Sequence, residues 1–239
     1  MKIWGVAATL GFAIFAFLLG WWVGSGAATA AMGADSTSGG YDGPAIVVSL
    51  LVSNPVQVVT LALAARMTGE DLLAYFALDV PRQRDVIVAV AGLAVAILIG
   101  DVLTLASGRD LVPAFQLQIH RSAQAQGALI SLWFALIVVA PIGEELLFRG
   151  FLFRGLVREP RDALPGILAI SLLWSLLHAQ YDWFGVSLVF ALGMLLGYVR
   201  LYSGSTTLVI VLHMLLNLES MLETVVALGI GVNTSSIPM

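Results

Sequence analysis

Residues 127–154 read GALISLWFALIVVAPIGEELLFRGFLFR and are apolar over most of their length. The stretch is long enough to cross a bilayer as a helix, for which about 20 residues suffice. Two adjacent acids, Glu144 and Glu145, lie within it, and Arg149 follows one helical turn after the second. An ionised group at the centre of a bilayer costs about 2.5 kcal/mol or more, so acids there usually have a function. The stretch therefore predicts a membrane helix that carries a functional site.

The composition of the whole chain is that of a membrane protein. Of its 239 residues, 59% are hydrophobic and 11% are charged, with a mean hydropathy of +0.97, whereas soluble domains carry about 25% charged residues. We predict an all-α, polytopic transmembrane bundle that forms a single integral membrane domain over 1–239. The absence of cysteine excludes disulfides, thiolate metal sites and a cysteine nucleophile. The net charge of −4 and the scattered basic residues argue against a nucleic-acid partner.

Seven hydrophobic segments have about the length of a membrane helix. They lie at about 3–23, 44–66, 86–106, 127–154, 164–180, 184–201 and 206–228. An additional, interfacial helix is expected within 110–126. The run 3–23 is longer than the apolar core of a signal peptide, so we interpret it as a retained first helix. The Gly-, Ser- and Ala-rich stretch 24–43 is expected to be a flexible loop.

The basic residues predict an orientation in the membrane. If the N-terminus is cytoplasmic, seven spans place all but two of the 11 lysines and arginines on or toward the cytoplasm, the exceptions being Arg109 and Arg121. Positive charge collects on the cytoplasmic side of membrane proteins. We therefore expect a multi-pass protein with a cytoplasmic N-terminus. The single lysine and the short loops favour a prokaryotic inner (cell) membrane.

Three further polar residues interrupt the later apolar segments: His178, His213 and Asn217. Counting from the expected cytoplasmic boundary, Glu144 and both histidines lie roughly 15–20 Å deep, near mid-bilayer. Residues four apart share one face of a helix. The pairs at this spacing are Glu145–Arg149, Trp174–His178 and His213–Asn217. We therefore expect Arg149 to neutralise one acid and the other acid to face a cavity.

Glutamate, two histidines and an amide are the groups that a water-activating hydrolase needs. Desolvation and a neighbouring acid favour Glu144 as a general base near neutral pH, and His178 could orient that base or share the water. His213 and Asn217 are suited to donate hydrogen bonds to a developing oxyanion, a role worth about 3–4 kcal/mol per donor. These residues predict hydrolysis of an amide without a covalent intermediate.

The three motifs together resemble those of a known family. The stretches EELLFR (144–149), WSLLH (174–178) and HMLLN (213–217) are similar to the EExxxR, FxxxH and HxxxN motifs of the CAAX-protease and bacteriocin-processing (CPBP) family, also called the ABI family. The resemblance covers about 140–220, inside a catalytic core expected at 127–228. It departs from the family at Trp174, where phenylalanine is usual. The resemblance implies an intramembrane glutamic endopeptidase.

That resemblance also implies a role for each residue of the motifs. Glu144 and His178 would activate water, and His213 and Asn217 would stabilise the oxyanion. Glu145 belongs to the same catalytic set, and two further residues, Arg149 and Trp174, would support it. The implied substrate is a peptide or a membrane protein within the lipid bilayer, and no cofactor is implied.

Other functions stay open from the residues alone. Glu144, His178 and His213 could instead ligate a catalytic zinc, although the chain has no HExxH helix. The buried polar residues could form an ion path in a transporter, although the sequence shows no repeated halves. The chain could also be a non-catalytic membrane scaffold or an immunity protein.

Overall fold

The computed structural model describes residues 4–33 and 41–229, and over these residues the chain folds into helices without a strand. The helices are α1 (Val6–Met32), α2 (Gly43–Arg66), α3 (Leu72–Tyr75), α4 (Gln83–Ala106), α5 (Ala114–Ala125), α6 (Leu129–Leu156), α7 (Ala163–Leu176), α8 (Trp183–Ser203) and α9 (Thr206–Gly229). A 3-10 turn, Pro160–Asp162, precedes α7. The predicted all-α fold is confirmed.

Six helices, α1, α2, α4, α6, α8 and α9, are long and apolar enough to cross a membrane, which confirms the predicted polytopic bundle. The segment 164–180, which was predicted to be a seventh membrane-spanning helix, is not among these six. There, α7 has only 14 residues and is about 21 Å long, less than the roughly 30 Å of a hydrocarbon core. The helix ends at Leu176, and residues 177–182 continue without helical structure.

The first helix, α1, extends into the stretch that was expected to be a loop. Its buried positions are occupied by small residues about one turn apart, among them Ala16, Gly20, Gly24 and Ala28. A Cβ added at Gly20 or Gly24 would lie 2.7 Å from a backbone oxygen of α2. Small residues at this spacing let membrane helices approach closely. The Gly- and Ala-rich residues 24–32, which were predicted to form a loop, therefore pack against α2 as part of a helix. The remainder of that predicted loop, 34–40, lies outside the described residues.

The central helix, α6, carries the two acids between two wide turns. The segments Ala135–Val139 and Leu146–Leu152 have π-helical hydrogen bonding, and Pro141 lies in the α-helical piece between them. Proline cannot donate the helical hydrogen bond, and π-turns are frequent at functional sites. The helix is therefore irregular where its polar residues enter the bundle.

One end of the bundle is rich in arginine. There Arg158 donates a hydrogen bond to the carbonyl of Trp4, and Arg154 pairs with Glu70 in the loop after α2. These contacts join the start of α1, the end of α2 and the end of α6. We name this the basic end, and its arginines are Arg66, Arg82, Arg84, Arg154, Arg158, Arg161 and Arg200.

The other end gathers α5, the start of α2 and the loop before α8, and we name it the α5 end. The backbone N–H of Gly43 donates to the hydroxyl of Ser122 on α5 at 3.2 Å. Arg109, just after α4, pairs with Asp182 at the start of α8. Since the turn before α7 lies at the basic end, residues 163–182 cross the bundle, although the helical part of this segment is short.

Candidate active site

Glu145 lies at the centre of a buried charge cluster. Its side chain has no exposed surface. Its Oε1 accepts a hydrogen bond from Nη1 of Arg149 at 3.0 Å and lies 2.7 Å from Nδ1 of His213. The pair with Arg149 agrees with the expected helical spacing. The contact with His213 joins two helices and therefore depends on how the bundle packs.

Arg149 is as deeply buried as its partner. Its Nη2 donates to the carbonyl of Gly193 on α8 at 3.1 Å, and its guanidinium carbon lies 4.7 Å from the centroid of the Trp174 ring. A guanidinium keeps its proton in proteins, so these partners have to offset its desolvation. The orientation argument placed Arg149 toward the cytoplasm. Because Arg149 lies inside the bundle, it no longer counts among the basic residues that indicate the cytoplasmic side.

Trp174 connects the first acid with both imidazoles. Its indole Nε1 donates to Oε2 of Glu144 at 2.7 Å. Its ring meets the ring of His178 edge-on with centroids 4.9 Å apart, and that of His213 with centroids 5.5 Å apart. Phenylalanine could make the same ring contacts but not the hydrogen bond. Trp174 therefore holds the Glu144 carboxylate directly.

The hydrogen bond of His178 fixes its tautomer. Its Nδ1 lies 2.9 Å from the main-chain carbonyl of Trp174, and a carbonyl can only accept. Nδ1 therefore carries a proton, and in the neutral ring Nε2 keeps a free lone pair. That nitrogen is able to accept a hydrogen bond from water.

His213 and Asn217, the expected oxyanion donors, both have partners in the protein. Nδ1 of His213 faces the carboxylate of Glu145, so this nitrogen carries a proton. Its Nε2 can donate a hydrogen bond only when that nitrogen also carries a proton. One N–H of the Asn217 amide donates to the carbonyl of Leu136 at 2.7 Å, which leaves the second N–H for a ligand.

A cavity of about 390 Å³ runs between α2, α5, α6 and α9. Its lining includes Glu144, His178, His213 and Asn217. We name it the active-site cavity. Glu145 lies behind it, against His213. The structure thus brings residues of all three sequence motifs to one place.

Two polar residues of α2 support the site and were missed in the sequence. Nε2 of Gln57 donates to the carbonyl of Gly143 at 3.0 Å, in the buried core. The side chain of Asn54 packs against the same glycine so closely that no Cβ fits there. Asn54 and Gln57 are polar residues within the apolar stretch 44–66, and this was the feature of the sequence that could have indicated these contacts.

His120 of α5 also lines the active-site cavity, although the sequence indicated no role for it. It is 4% exposed, and neither ring nitrogen has a hydrogen-bond partner among the described residues. Burial lowers the pKa of His120, so its ring is neutral near neutral pH. An unpaired neutral imidazole can both donate and accept a hydrogen bond.

One group of possible metal ligands lies close together in the structure, and it is not the set suggested by the sequence. Among the described residues, the ligand atoms of Asp101, Glu219 and Glu223 all lie within 4.8 Å of one another, whereas Glu144, His178 and His213 form no such group. The acidic trio lines another cavity, of about 430 Å³, that also reaches both histidines.

Comparison with known proteins points to the same family as the motifs. Residues 126–218 match the model of the Rce1-like family, described as type II CAAX prenyl endopeptidase Rce1-like. The matched range contains all three motifs and every residue of the buried charge cluster. No curated protein and no solved structure matches the chain. Over residues 126–218 the chain is therefore similar to the Rce1-like family of type II CAAX prenyl endopeptidases.

Proposed function

We propose that this protein is an intramembrane endopeptidase that hydrolyses a peptide bond with water activated by Glu144 and His178. One observation carries the proposal: an acid, a histidine with a free Nε2 and two further polar groups line a single cavity. The family match supports a membrane protease acting on a peptide or protein substrate in the bilayer. The site geometry supports the glutamate and histidine chemistry.

The reaction follows from the position of each group. Glu144 takes one proton from a water molecule, and Nε2 of His178 accepts a hydrogen bond from the other. The water oxygen attacks the carbonyl carbon, and the resulting oxyanion accepts hydrogen bonds from His213 and Asn217. The C–N bond then breaks, and Glu144 returns its proton to the departing nitrogen. The products are an amine and a carboxylic acid, which becomes a carboxylate when it releases the second water proton to solvent. No bond to the enzyme forms at any stage.

Glu145 and Arg149 position the oxyanion donor in this scheme. The carboxylate of Glu145 accepts from Nδ1 of His213 and fixes the orientation of the imidazole at the cavity wall. Arg149 forms a buried ion pair with Glu145. The opposite charges of this pair cancel, which lowers the cost of placing the two groups in a bilayer.

The direct test uses the detergent-solubilised protein and an internally quenched peptide, offered with and without a C-terminal farnesylated cysteine motif. We expect cleavage of at least one form and a new C-terminus at a single peptide bond, as mass spectrometry would show. If neither form were cleaved by the folded protein, the proposed function would be wrong and the scaffold interpretation would be favoured.

Chelation separates the proposal from the zinc alternative. We propose hydrolysis without a metal cofactor, because Glu144 and His178 both line the cavity and Nε2 of His178 is free to bind water directly. Prolonged treatment with EDTA and phenanthroline is expected to leave the cleavage rate unchanged. Loss of activity that added zinc restores would instead support the metalloprotease.

The substitution Trp174→Phe tests the role of the indole N–H. It removes the hydrogen bond to Glu144 and keeps the aromatic contacts with both histidines. A hydrogen bond to a charged group contributes about 1.5–3 kcal/mol, so we expect kcat to fall by about 10- to 100-fold while KM stays nearly unchanged.

A matched control for this substitution is Trp133→Phe. The indole nitrogen of Trp133 is buried on the same helix as Glu144 but has no hydrogen-bond partner among the described residues. Its loss is expected to leave kcat near the wild-type value. Equal kcat values for the two variants would show that the bond to Glu144 does not contribute to the reaction.

A further inference from the structure

The active-site cavity adjoins a second cavity at the α5 end. It shares wall residues with this second cavity, of about 470 Å³, which is lined by Arg109, Asp110 and Asp182. The shared residues are Phe115, Gln116, Gln180, Tyr181 and Ser220. We name this second space the entry cavity. None of the arginines of the basic end lines either cavity.

The charges of the two ends assign them to different sides of the membrane. Seven arginines lie at the basic end, Arg109 and Arg121 lie at the α5 end, and Arg149 is buried. The one lysine, Lys2, lies outside the described residues. Cytoplasmic loops of membrane proteins carry the excess of lysine and arginine. The basic end is therefore the cytoplasmic one, and the α5 end faces outward.

The wall of the cavity carries a group that is suited to a peptide. His120 on α5 is buried, lines the active-site cavity and has no partner for either ring nitrogen in the described part of the chain. A buried polar group without a partner is unfavourable, so a bound ligand that supplied its partners would be stabilised there. A peptide backbone offers both a donor and an acceptor along its length.

We propose that the substrate reaches Glu144 from the non-cytoplasmic side, through the entry cavity and beneath α5, with His120 hydrogen-bonded to its backbone. The substrate class is then a peptide, or a segment of a membrane protein, that is exposed on the outer side of the membrane. A protein confined to the cytoplasm would have no access. This inference rests on the proposed peptidase function, but its direction can be tested without any activity.

The chain contains no cysteine, so single cysteines report directly which side is accessible. We would introduce Gln124→Cys on the exposed side of α5, Gln180→Cys in the cavity wall and Met67→Cys at the basic end. Right-side-out and inside-out vesicles of the expressing cells are then treated with a membrane-impermeant maleimide. Ser220→Cys replaces Gln180→Cys if that variant does not fold.

The expected result is labelling of the α5 and cavity-wall cysteines in right-side-out vesicles, and of the Met67→Cys variant in inside-out vesicles alone. The reverse pattern would overturn the proposal, because the α5 end would then be cytoplasmic. A cavity-wall cysteine that reacts from neither side would also overturn it, because no aqueous route would exist.

Cleavage by sided vesicles connects the route to the reaction. The quenched peptide is added outside each vesicle type, and we expect cleavage by right-side-out vesicles. Cleavage in detergent and by inside-out vesicles only would overturn the entry side and leave the peptidase function intact. Absence of cleavage in detergent would refute the peptidase function, while maleimide labelling would still decide the orientation.

The role of His120 is tested by His120→Phe and His120→Asn. The first removes both hydrogen-bonding nitrogens, and the second keeps a donor and an acceptor. We expect the phenylalanine variant to raise KM several-fold with kcat unchanged, and the asparagine variant to recover part of that loss. Unchanged KM in both folded variants would remove His120 from the binding site.

Discussion

The substitution Glu144→Gln is expected to abolish measurable peptide cleavage. The amide keeps the size of the side chain and can still accept the hydrogen bond from Trp174, but it cannot take a proton from water. General-base catalysis contributes about 10²- to 10⁴-fold, so we expect kcat to fall by at least about 100-fold. The measurement is the initial rate with the quenched peptide at saturating concentration.

The control for this variant is Asp79→Asn, which makes the same change from carboxylate to amide at an exposed position of the basic end. It is expected to cleave at the wild-type rate, and both variants should unfold at nearly the wild-type temperature. If the folded Glu144→Gln variant kept more than a tenth of the wild-type rate, Glu144 would not be the general base.

Glu145→Leu is expected to destabilise the protein strongly. It leaves Arg149 buried, charged and without its carboxylate partner. Removing one member of a buried ion pair costs about 3–5 kcal/mol, because the remaining charge is desolvated and uncompensated. The effect is measured as a lower unfolding temperature in detergent.

The double variant Glu145→Leu/Arg149→Met tests the cause of that loss. It removes both charges, and apolar replacements of buried ion pairs are often neutral or stabilising, so most of the lost stability should return. Activity should not return, because His213 has no carboxylate to hold it. Arg161→Leu, which breaks an exposed pair with Glu159, should change stability by at most about 1 kcal/mol. If the double variant unfolded as easily as the single one, the buried charge would not be the cause.

Contacts within one helix could be predicted from the sequence because helical spacing fixes them. The pairing of Glu145 with Arg149 follows from two residues four apart on α6. Contacts between helices could not be predicted, because they depend on how the helices rotate and pack. The bond from Trp174 to Glu144 and the contact between Glu145 and His213 belong to this second kind.

The helix boundaries, too, could be predicted only in part from the sequence. Hydrophobic length located the long spans, but it could not show that α7 stops at Leu176, where His178 then binds back to the carbonyl of Trp174. Small residues in 24–32 indicated a loop because glycine and serine are typical of loops. The partner helix that makes them a packing surface is visible only in three dimensions.

The central claim is that water, and not Glu144, attacks the peptide bond. Repeated turnovers in H₂¹⁸O, followed by mass spectrometry of the product and of the enzyme fragment containing Glu144, test it most directly. The account predicts ¹⁸O in the new carboxylate of the product and none in the side chain of Glu144. Incorporation of ¹⁸O into Glu144 would show that its carboxylate had formed a covalent acyl intermediate, and would contradict the account.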